Sequence, residues 1–200
     1  MLDVIDLCFD YLDRPLLNGV QFTVHAGCLL HLRGSNGAGK TTVLKLLAGM
    51  IRPLQGGICY QGSSIYEDLP VFQQHLCYVG HKTGVSQLLT VRENCRFELH
   101  RGRSGLSFDD LIKSFGLEGL EDSVCGLLSV GQRRRVGLLR LLMSNAPLWL
   151  LDEPLVALDN DAVELLMAVL DRHLQSGGLV VLTSHQNLPL SKEKYQEYNL

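Results

Sequence analysis

Residues 34 to 42 have the types and spacing of a loop that binds phosphate. They read GSNGAGKTT, which fits the pattern GxxxxGK followed by Ser or Thr. Glycines let such a loop turn its N–H groups inward, and the following helix adds the positive end of its dipole. The lysine would reach the outer phosphates, and the first threonine would complete the shell of a Mg²⁺ ion. The alternative, a glycine-rich turn with an incidental lysine, is disfavoured by the apolar run before the loop and the helical run after it. The residues expected to bind the nucleotide here are Gly34, Ser35, Asn36, Gly37, Ala38, Gly39, Lys40, Thr41 and Thr42.

Two acids follow a short apolar run later in the chain. The run is Leu148 to Leu151, bounded by prolines, and it is typical of a fully buried parallel strand. Ligands of open parallel sheets bind at the carboxyl ends of the strands. Asp152 would therefore hold Mg²⁺ through water, and Glu153 would orient or deprotonate an attacking water. The alternative is that the two acids cap the next helix.

A histidine and a serine add two further candidates. A second buried strand, residues 179 to 182, leads to His185, which would project at the same edge as the phosphates, although a lone histidine at a strand end is usually structural. Ser129 lies in the segment LSVGQ and is a good N-cap for the helix that follows, which makes that helix end an anion site. For at least two of the next three residues, all arginines, we favour solvated or acid-paired positions.

The elements that must position these residues give an α/β fold with one inserted helical part. Alternating apolar residues predict a small antiparallel sheet beside the strand that leads into the phosphate loop. A capping box at Thr90 to Glu93 and a second helix start at Ser107 predict that residues from about 84 to 145 form a mainly helical insertion. Tyr11 is predicted in the loop between the first two strands, where it could also be an ordinary half-buried aromatic. The strands of the small sheet are expected at Val4 to Leu7, Val20 to Val24 and Ile58 to Tyr60.

Composition favours a single domain over residues 1–200. The hydrophobic share of 46% and the charged share of 20% are those of a globular chain. No apolar run approaches the roughly 18 residues of a spanning helix, and the first residues are acidic, so we expect a cytosolic chain. Six cysteines without a CxxC pair indicate neither a zinc site nor a disulfide framework. The net charge of −3 gives no electrostatic case for binding nucleic acid.

Taken together, these motifs resemble the nucleotide-binding subunit of ATP-binding cassette transporters over nearly the whole chain. The resemblance implies a P-loop NTPase fold with an antiparallel β subdomain and a helical signature subdomain, and an ATPase that uses ATP and Mg²⁺. It implies that Tyr11 stacks on adenine and that Asp159 lies close to the nucleotide. It also implies that two copies face each other head to tail, so that the signature residues of one chain meet the ATP of the other. Those signature residues are Ser129, Val130, Gly131 and Gln132.

Two positions depart from the usual family pattern. The glutamine that contacts both Mg²⁺ and the permease is replaced by His81, counted back from Leu89. A neutral imidazole can still accept or donate one hydrogen bond. The signature also has Val130 where glycine is usual, and a β-branched residue there could slow closure of the dimer.

Within this family the resemblance extends to the haem exporters of cytochrome c maturation. The features are Gly80-His81, the helix LSxGQRRRV, Trp149 ahead of the two acids, and HQxL from His185. The implied assembly has separate integral membrane permease subunits, with this chain peripheral at the cytoplasmic face of the inner membrane. Haem is not expected to bind this chain directly, because it has no CxxCH motif and no Cys-Pro pair.

Other functions stay open at this point. One is an ATPase of the same type that energises export of another substrate. A soluble cassette ATPase of repair or translation usually has two cassettes or a long coiled coil, and this chain has neither. A nucleotide-binding regulator that does not hydrolyse ATP is disfavoured by the retention of Glu153 and His185.

Overall fold

A computed structural model describes residues 1–11, 14–99, 107–190 and 195–200. The strands are β1 (Leu2–Tyr11), β2 (Arg14–Val24), β3 (Leu29–Arg33), β4 (Gln55–Tyr60), β5 (Ser63–Ser64), β6 (Leu76–Val79), β7 (Leu148–Asp152), β8 (Leu179–Thr183) and β9 (Tyr195–Asn199). The helices are α1 (Lys40–Leu47), α2 (Leu69–Gln74), α3 (Val91–Leu99), α4 (Phe108–Ser114), α5 (Val130–Met143) and α6 (Asn160–Gln175), with a 3₁₀ turn at Cys125–Leu127.

A parallel sheet in the order β6-β7-β8-β3-β9 forms the centre of the described chain. Every residue of β7 and β8 is buried, as their continuous apolar sequences predict. Leu148 and Leu150 belong to one hydrophobic core, whereas Trp149 and Leu151 belong to the other. Because successive strand residues point to opposite faces, the sheet separates these two cores. The carboxyl ends of β3, β7 and β8 meet at one edge.

The antiparallel sheet has the order β2-β1-β4-β5. Leu2 and Val4 pack into the same core as Leu44 of α1, so this sheet is fixed to the helix that follows the phosphate loop. The three predicted strands are confirmed, but the predicted loop position of Tyr11 is wrong. Tyr11 is the last residue of β1 and pairs with Arg14 of β2, because the hairpin strands continue further than the alternating pattern shows.

The helices α3, α4 and α5 lie between β6 and β7 in sequence, as expected for a helical insertion. The capping box at Thr90 is confirmed. The Thr90 amide donates to Glu93 Oε2 at 2.8 Å, and the Glu93 amide donates to the Thr90 hydroxyl at 3.1 Å. Ser107 caps α4 in the same way with Asp110. The limits 84 and 145 for this part as a separate unit stay a prediction. In the described ranges, no helix is both long and apolar enough to cross a membrane.

Strands β5 and β9, helix α2 and the 3₁₀ turn were not predicted. Strand β9 reads YQEYN and pairs in parallel with β3 at the edge of the sheet. It has no apolar run, and its two half-buried tyrosines, Tyr195 and Tyr198, pack against different hydrophobic cores. An ion pair of 3.0 Å between Arg33 and Glu197 joins the two strands. The short helix α2 begins after Asp68, whose side chain accepts from the Val71 amide.

Candidate functional site

The predicted phosphate loop connects β3 to α1. Gly39 caps α1 with φ at 100°, a conformation that side chains rarely adopt, and a Cβ there would lie 2.7 Å from Leu17 Cδ2. Only glycine fits this turn, because the backbone of Gly39 packs closely against β2. The top of the loop, residues 35–37, is exposed, and Thr42 is buried beneath it. The first amides of α1 have no partner within the helix and favour an anion at this end.

Lys40 folds over this loop. Its Nζ donates hydrogen bonds to the carbonyl oxygens of Gly34 at 2.8 Å and Ser35 at 3.1 Å, and the residue is largely buried. An ammonium group has three donors, so these two bonds leave one donor free. Bonds to a charged phosphate are stronger than bonds to neutral carbonyls. The lysine is thus held where it could exchange these carbonyls for phosphate oxygens.

Asp152 connects the ends of three elements. The hydroxyl of Thr41 lies 3.1 and 3.0 Å from its two carboxylate oxygens, and the hydroxyl of Thr183 donates to Oδ1 at 2.9 Å. The carboxylate is buried. Burial, and to a lesser degree the charge of Asp152, raises the pKa of nearby Tyr78 to about 12, so that phenol stays neutral. An aspartate and a hydroxyl this close are oxygen donors of the kind that Mg²⁺ prefers.

Glu153 faces His185. Its Oε2 accepts from the His185 amide at 3.2 Å, and its Oε1 lies 3.3 Å from His185 Nε2. Within the described residues this buried Oε1 has no hydrogen bond of good geometry. Glu153 also has φ at 50°, which is uncommon for a residue with a side chain and costs conformational energy. The fold thus holds one carboxylate oxygen beside His185 without a hydrogen bond of good geometry, and a carboxylate oxygen can act as a general base towards a water that reaches it.

The signature turn begins α5. Ser129 Oγ accepts from the Gln132 amide at 3.1 Å, and Gln132 Oε1 accepts from the Ser129 amide at 2.9 Å. This capping box leaves the hydroxyl proton of Ser129 available for an anion. A Cβ on Gly131 would lie 2.7 Å from the carbonyl oxygen of Ala157, so glycine is needed here, whereas Val130 is 62% exposed. In the described chain no hydrogen bond joins this turn to residues 34–42.

Asp159 has two contacts within its own chain. It caps α6 by accepting from the Ala162 amide at 3.0 Å, and its Oδ2 accepts from Arg135 Nη2 at 2.7 Å. Arg135 is therefore acid-paired, which gives one of the at least two solvated or acid-paired positions expected among the three arginines. The approach of Asp159 to a nucleotide stays a prediction.

Arg134 is the residue that sequence reasoning missed. Its side chain is only 5% exposed and donates to backbone carbonyls, so Arg134 is neither solvated nor acid-paired. Arg134, Leu138 and Leu141 are spaced i, i+4 and i+7, and all three are buried. Because this spacing marks one face of a helix, the pattern could have placed Arg134 on the buried face.

Tyr11 and His81 lie outside this group of contacts. Tyr11 is 48% exposed, and its ring meets Phe9 edge-on at 4.9 Å. His81 is exposed and lines a cavity of about 750 Å³ together with Val130 and Val156. Among described residues, no group of three or more His, Cys, Asp and Glu side chains could hold a metal ion alone. The roles of Tyr11 at adenine and of His81 at Mg²⁺ stay predictions.

Comparison with known proteins gives the same architecture. A family model described as ABC transporter matches residues 17–156. The cytochrome c biogenesis ATP-binding export protein CcmA of Legionella pneumophila (strain Lens) is 53% identical over 200 residues, which are 100% of both chains.

Solved structures are similar over most of the chain. A putative ABC transporter ATP-binding protein from Pyrococcus furiosus has a TM-score of 0.82 at 27% identity, covering 100% of this chain and 96% of that one. An ATP-binding cassette solved as a dimer in a post-hydrolysis state, with ADP and phosphate bound, has a TM-score of 0.80 at 23% identity. That match covers 93% of this chain and 88% of the other and concerns the fold alone.

Proposed function

This chain belongs to the ABC transporter family and is an ATPase of the ATP-binding cassette type, and we propose that it powers an export step of cytochrome c biogenesis. The full-length similarity to a relative with that printed role supports the proposal. The exported group would be haem, through release of a haem-loaded chaperone. In this proposal haem itself contacts other subunits.

The ATP site would be completed by Mg²⁺. The donors Thr41 and Asp152, in contact at 3.0 Å beside the phosphate loop, fit a hard cation that takes oxygen ligands and keeps several waters. When bound, the ion would neutralise charge on the phosphates. Lys40 would bind the outer phosphates, and residues 34–42 would surround them with backbone amides.

The observation that carries the catalytic proposal is the free oxygen of Glu153. Its Oε1 is buried, lacks a hydrogen bond of good geometry and lies 3.3 Å from His185 Nε2. In our proposal this oxygen accepts the proton of the attacking water, and the imidazole orients the carboxylate and contacts the terminal phosphate. General base catalysis of this kind contributes about 10² to 10⁴-fold to a rate.

A second copy of the chain would complete each site. The signature turn presents a free serine hydroxyl at a helix N-terminus, yet no described hydrogen bond joins it to its own phosphate loop. A turn built for an anion but separate from its own loop fits an anion on another chain. We therefore propose a head-to-tail dimer, in which Ser129 and Gly131 bind the nucleotide of the partner. A cassette of similar fold was solved as a dimer, which supports the pairing of two copies.

Integral membrane permease subunits are the other proposed partners, which would hold the chain at the cytoplasmic face of the inner membrane. A groove of about 420 Å³ lies between the segment before α3 and the side of α5. Its lining mixes apolar and polar side chains, including Val85, Asn94 and Met143. We propose that a permease element binds here. His81 lines the neighbouring cavity, which shares residues 84–86 with this groove.

A complementation test would check this function. In cells that lack the native gene, we expect the wild-type chain to restore c-type cytochromes and Glu153→Gln to fail. Glu164→Gln, at an exposed position on α6, is the matched control and should restore them. Normal cytochromes in the strain that lacks the gene would refute the biogenesis role. Full restoration by Glu153→Gln would refute the catalytic assignment.

A further inference from the structure

Arg134 of α5 holds the turn that carries the proposed catalytic carboxylate. Its Nη2 donates to the carbonyl oxygens of Asp152 at 2.9 Å and Glu153 at 2.7 Å. Its Nε lies 3.5 Å from the carbonyl oxygen of the next residue, Pro154. Three consecutive carbonyls therefore point at one guanidinium group. This arrangement helps to hold Glu153 at its unfavourable positive φ.

The same side chain also holds the segment after β6. Nη1 donates to the carbonyl oxygens of Gly80 at 3.0 Å and His81 at 3.3 Å. A guanidinium group has five N–H donors in a fixed plane, so the five carbonyls of the two segments can use all of them. Neither lysine nor glutamine has this number and geometry of donors. The site is built for arginine.

Burying the charge of Arg134 costs free energy, and packing alone would not require a charged residue at this position. Burial lowers the pKa of Arg134, while the charges of Asp152 and Glu153 act in the opposite direction. No carboxylate side chain accepts a hydrogen bond from it in the described residues, so carbonyl dipoles provide its direct hydrogen bonds. A buried cation is expensive unless its donors are satisfied. An apolar residue would fill the same face of α5 at lower cost, which argues for a role beyond packing.

Arg134 also belongs to the helix that begins at the signature turn. Ser129, the N-cap of α5, precedes it by little more than one helical turn, and the capping box makes this end of the helix rigid. A movement of the turn would therefore carry the guanidinium group with it. The two held segments would follow, because their carbonyls are bonded to the same group.

We propose that Arg134 is a positioning residue that couples the signature turn to Glu153 and to the Gly80–His81 segment of its own chain. The inference rests on the proposed dimer, in which the signature turn contacts the nucleotide of the partner. Binding of ATP in one site would then set the carboxylate of the other site. The two sites would hydrolyse ATP cooperatively, and the segment beside the permease groove would move with them.

The test uses the chain assembled with its membrane subunits and compares Arg134→Lys with wild type. Lysine keeps the charge but not the five-donor fork. We expect kcat to fall by at least about tenfold, since small misplacements of a catalytic group have effects of this size. The KM for ATP should change by less than about twofold, because Lys40 and the loop are untouched. The Hill coefficient for ATP, expected above one in wild type, should fall towards one.

Controls separate positioning from stability. Arg172→Lys makes the same change at an exposed position of α6 and should leave all three quantities unchanged. Arg134→Gln is the second variant, and thermal unfolding is measured for each. The inference is overturned if Arg134→Lys keeps the wild-type kcat and Hill coefficient, or if both variants lose activity only through unfolding.

Failure of this inference can be distinguished from failure of the proposed function. Glu153→Gln is assayed in the same complex. If it hydrolyses ATP at the full rate, the catalytic assignment itself is wrong. If it is inactive while Arg134→Lys behaves as wild type, only the coupling role of Arg134 is wrong.

Discussion

The hydroxyl of Thr183 donates a hydrogen bond of 2.9 Å to Oδ1 of Asp152 on the neighbouring strand. The same hydroxyl accepts a hydrogen bond of 2.9 Å from the amide of Glu153. One side chain thus fixes the carboxylate proposed to hold the metal and the backbone of the residue proposed to activate water. The positions of both acids therefore depend on the register between β7 and β8, in which Asp152 lies opposite Thr183.

Replacing Thr183 by valine should therefore impair catalysis more than binding. The valine has the same shape but leaves the buried Asp152 oxygen and the Glu153 amide each without one partner. We expect kcat to fall about tenfold and the free energy of unfolding to fall by about 1–3 kcal/mol, the usual cost of unsatisfied buried groups. Steady-state hydrolysis and urea unfolding measure the two effects. Thr23→Val is the control, since it removes a 2.8 Å bond to Asp3 on the antiparallel sheet, and it should leave kcat unchanged.

Loss of the His185 side chain should affect the chemical step. In His185→Ala, Glu153 Oε1 loses the imidazole at 3.3 Å, although Oε2 keeps its bond to the backbone amide. We expect kcat to fall by about 10²-fold or more, with nucleotide affinity nearly unchanged. Equilibrium binding of a fluorescent ATP analogue and single-turnover hydrolysis would separate the two. The exposed His25→Ala is the control, and a wild-type single-turnover rate in His185→Ala would exclude the proposed role.

Stability should decrease as the pH falls through the range where buried histidines take up protons. His31 of β3 is fully buried with its Nε2 3.1 Å from the carbonyl oxygen of Ser184, and burial lowers its pKa below 6.5. The hydrogen bond to Ser184 raises this pKa, the nearby Arg33 lowers it and Glu197 raises it, but burial has the largest effect. Between the lowered native pKa and 6.5 the unfolded chain binds more protons, so protonation favours unfolding. The contribution of His31 is therefore complete above pH 6.5 and is lost as the pH falls towards the native value.

Urea unfolding at pH 7.5 and 5.5 would measure this effect. His31→Gln, which cannot titrate but can still donate to Ser184, should show a smaller difference between the two pH values than wild type. His173 on α6 adds to the remaining dependence, because its ring is stacked on Trp149 at 3.6 Å and burial lowers its pKa too. An unchanged difference in His31→Gln would contradict the role of His31.

The sequence was most informative where local chemistry decides the structure. The phosphate loop needs glycines in fixed places, and the buried run before Asp152 can hardly be anything but a central strand. A capping box at Thr90 and an N-cap serine at Ser129 marked two helix starts, because capping depends on residues close together in the sequence. These signals were sufficient for the fold and for the edge of the sheet where the site lies.

What the sequence did not indicate depends on contacts between distant segments. Strand β9 is polar, and its position beside β3 comes from backbone pairing at a sheet edge. The partners of Arg134 lie 18 to 54 positions away, so its neighbours in the sequence gave no sign of them. The sequence placed Thr183 at the end of a strand but did not predict its hydrogen bonds to Asp152 and Glu153, because these depend on the register between β7 and β8.

Mixing two inactive variants tests the head-to-tail dimer most directly. Lys40→Ala removes the lysine of the phosphate loop, and Ser129→Arg blocks the signature turn. Each variant alone should be inactive, because both sites of its homodimer are defective. In a mixed dimer, the intact loop of one chain meets the intact signature turn of the other, so one complete site forms. We predict that ATP hydrolysis reappears on mixing, at a reduced rate because Glu153 of the complete site lies in the chain whose own signature turn is blocked. A mixture that forms dimers yet stays as inactive as its two components would contradict the head-to-tail dimer.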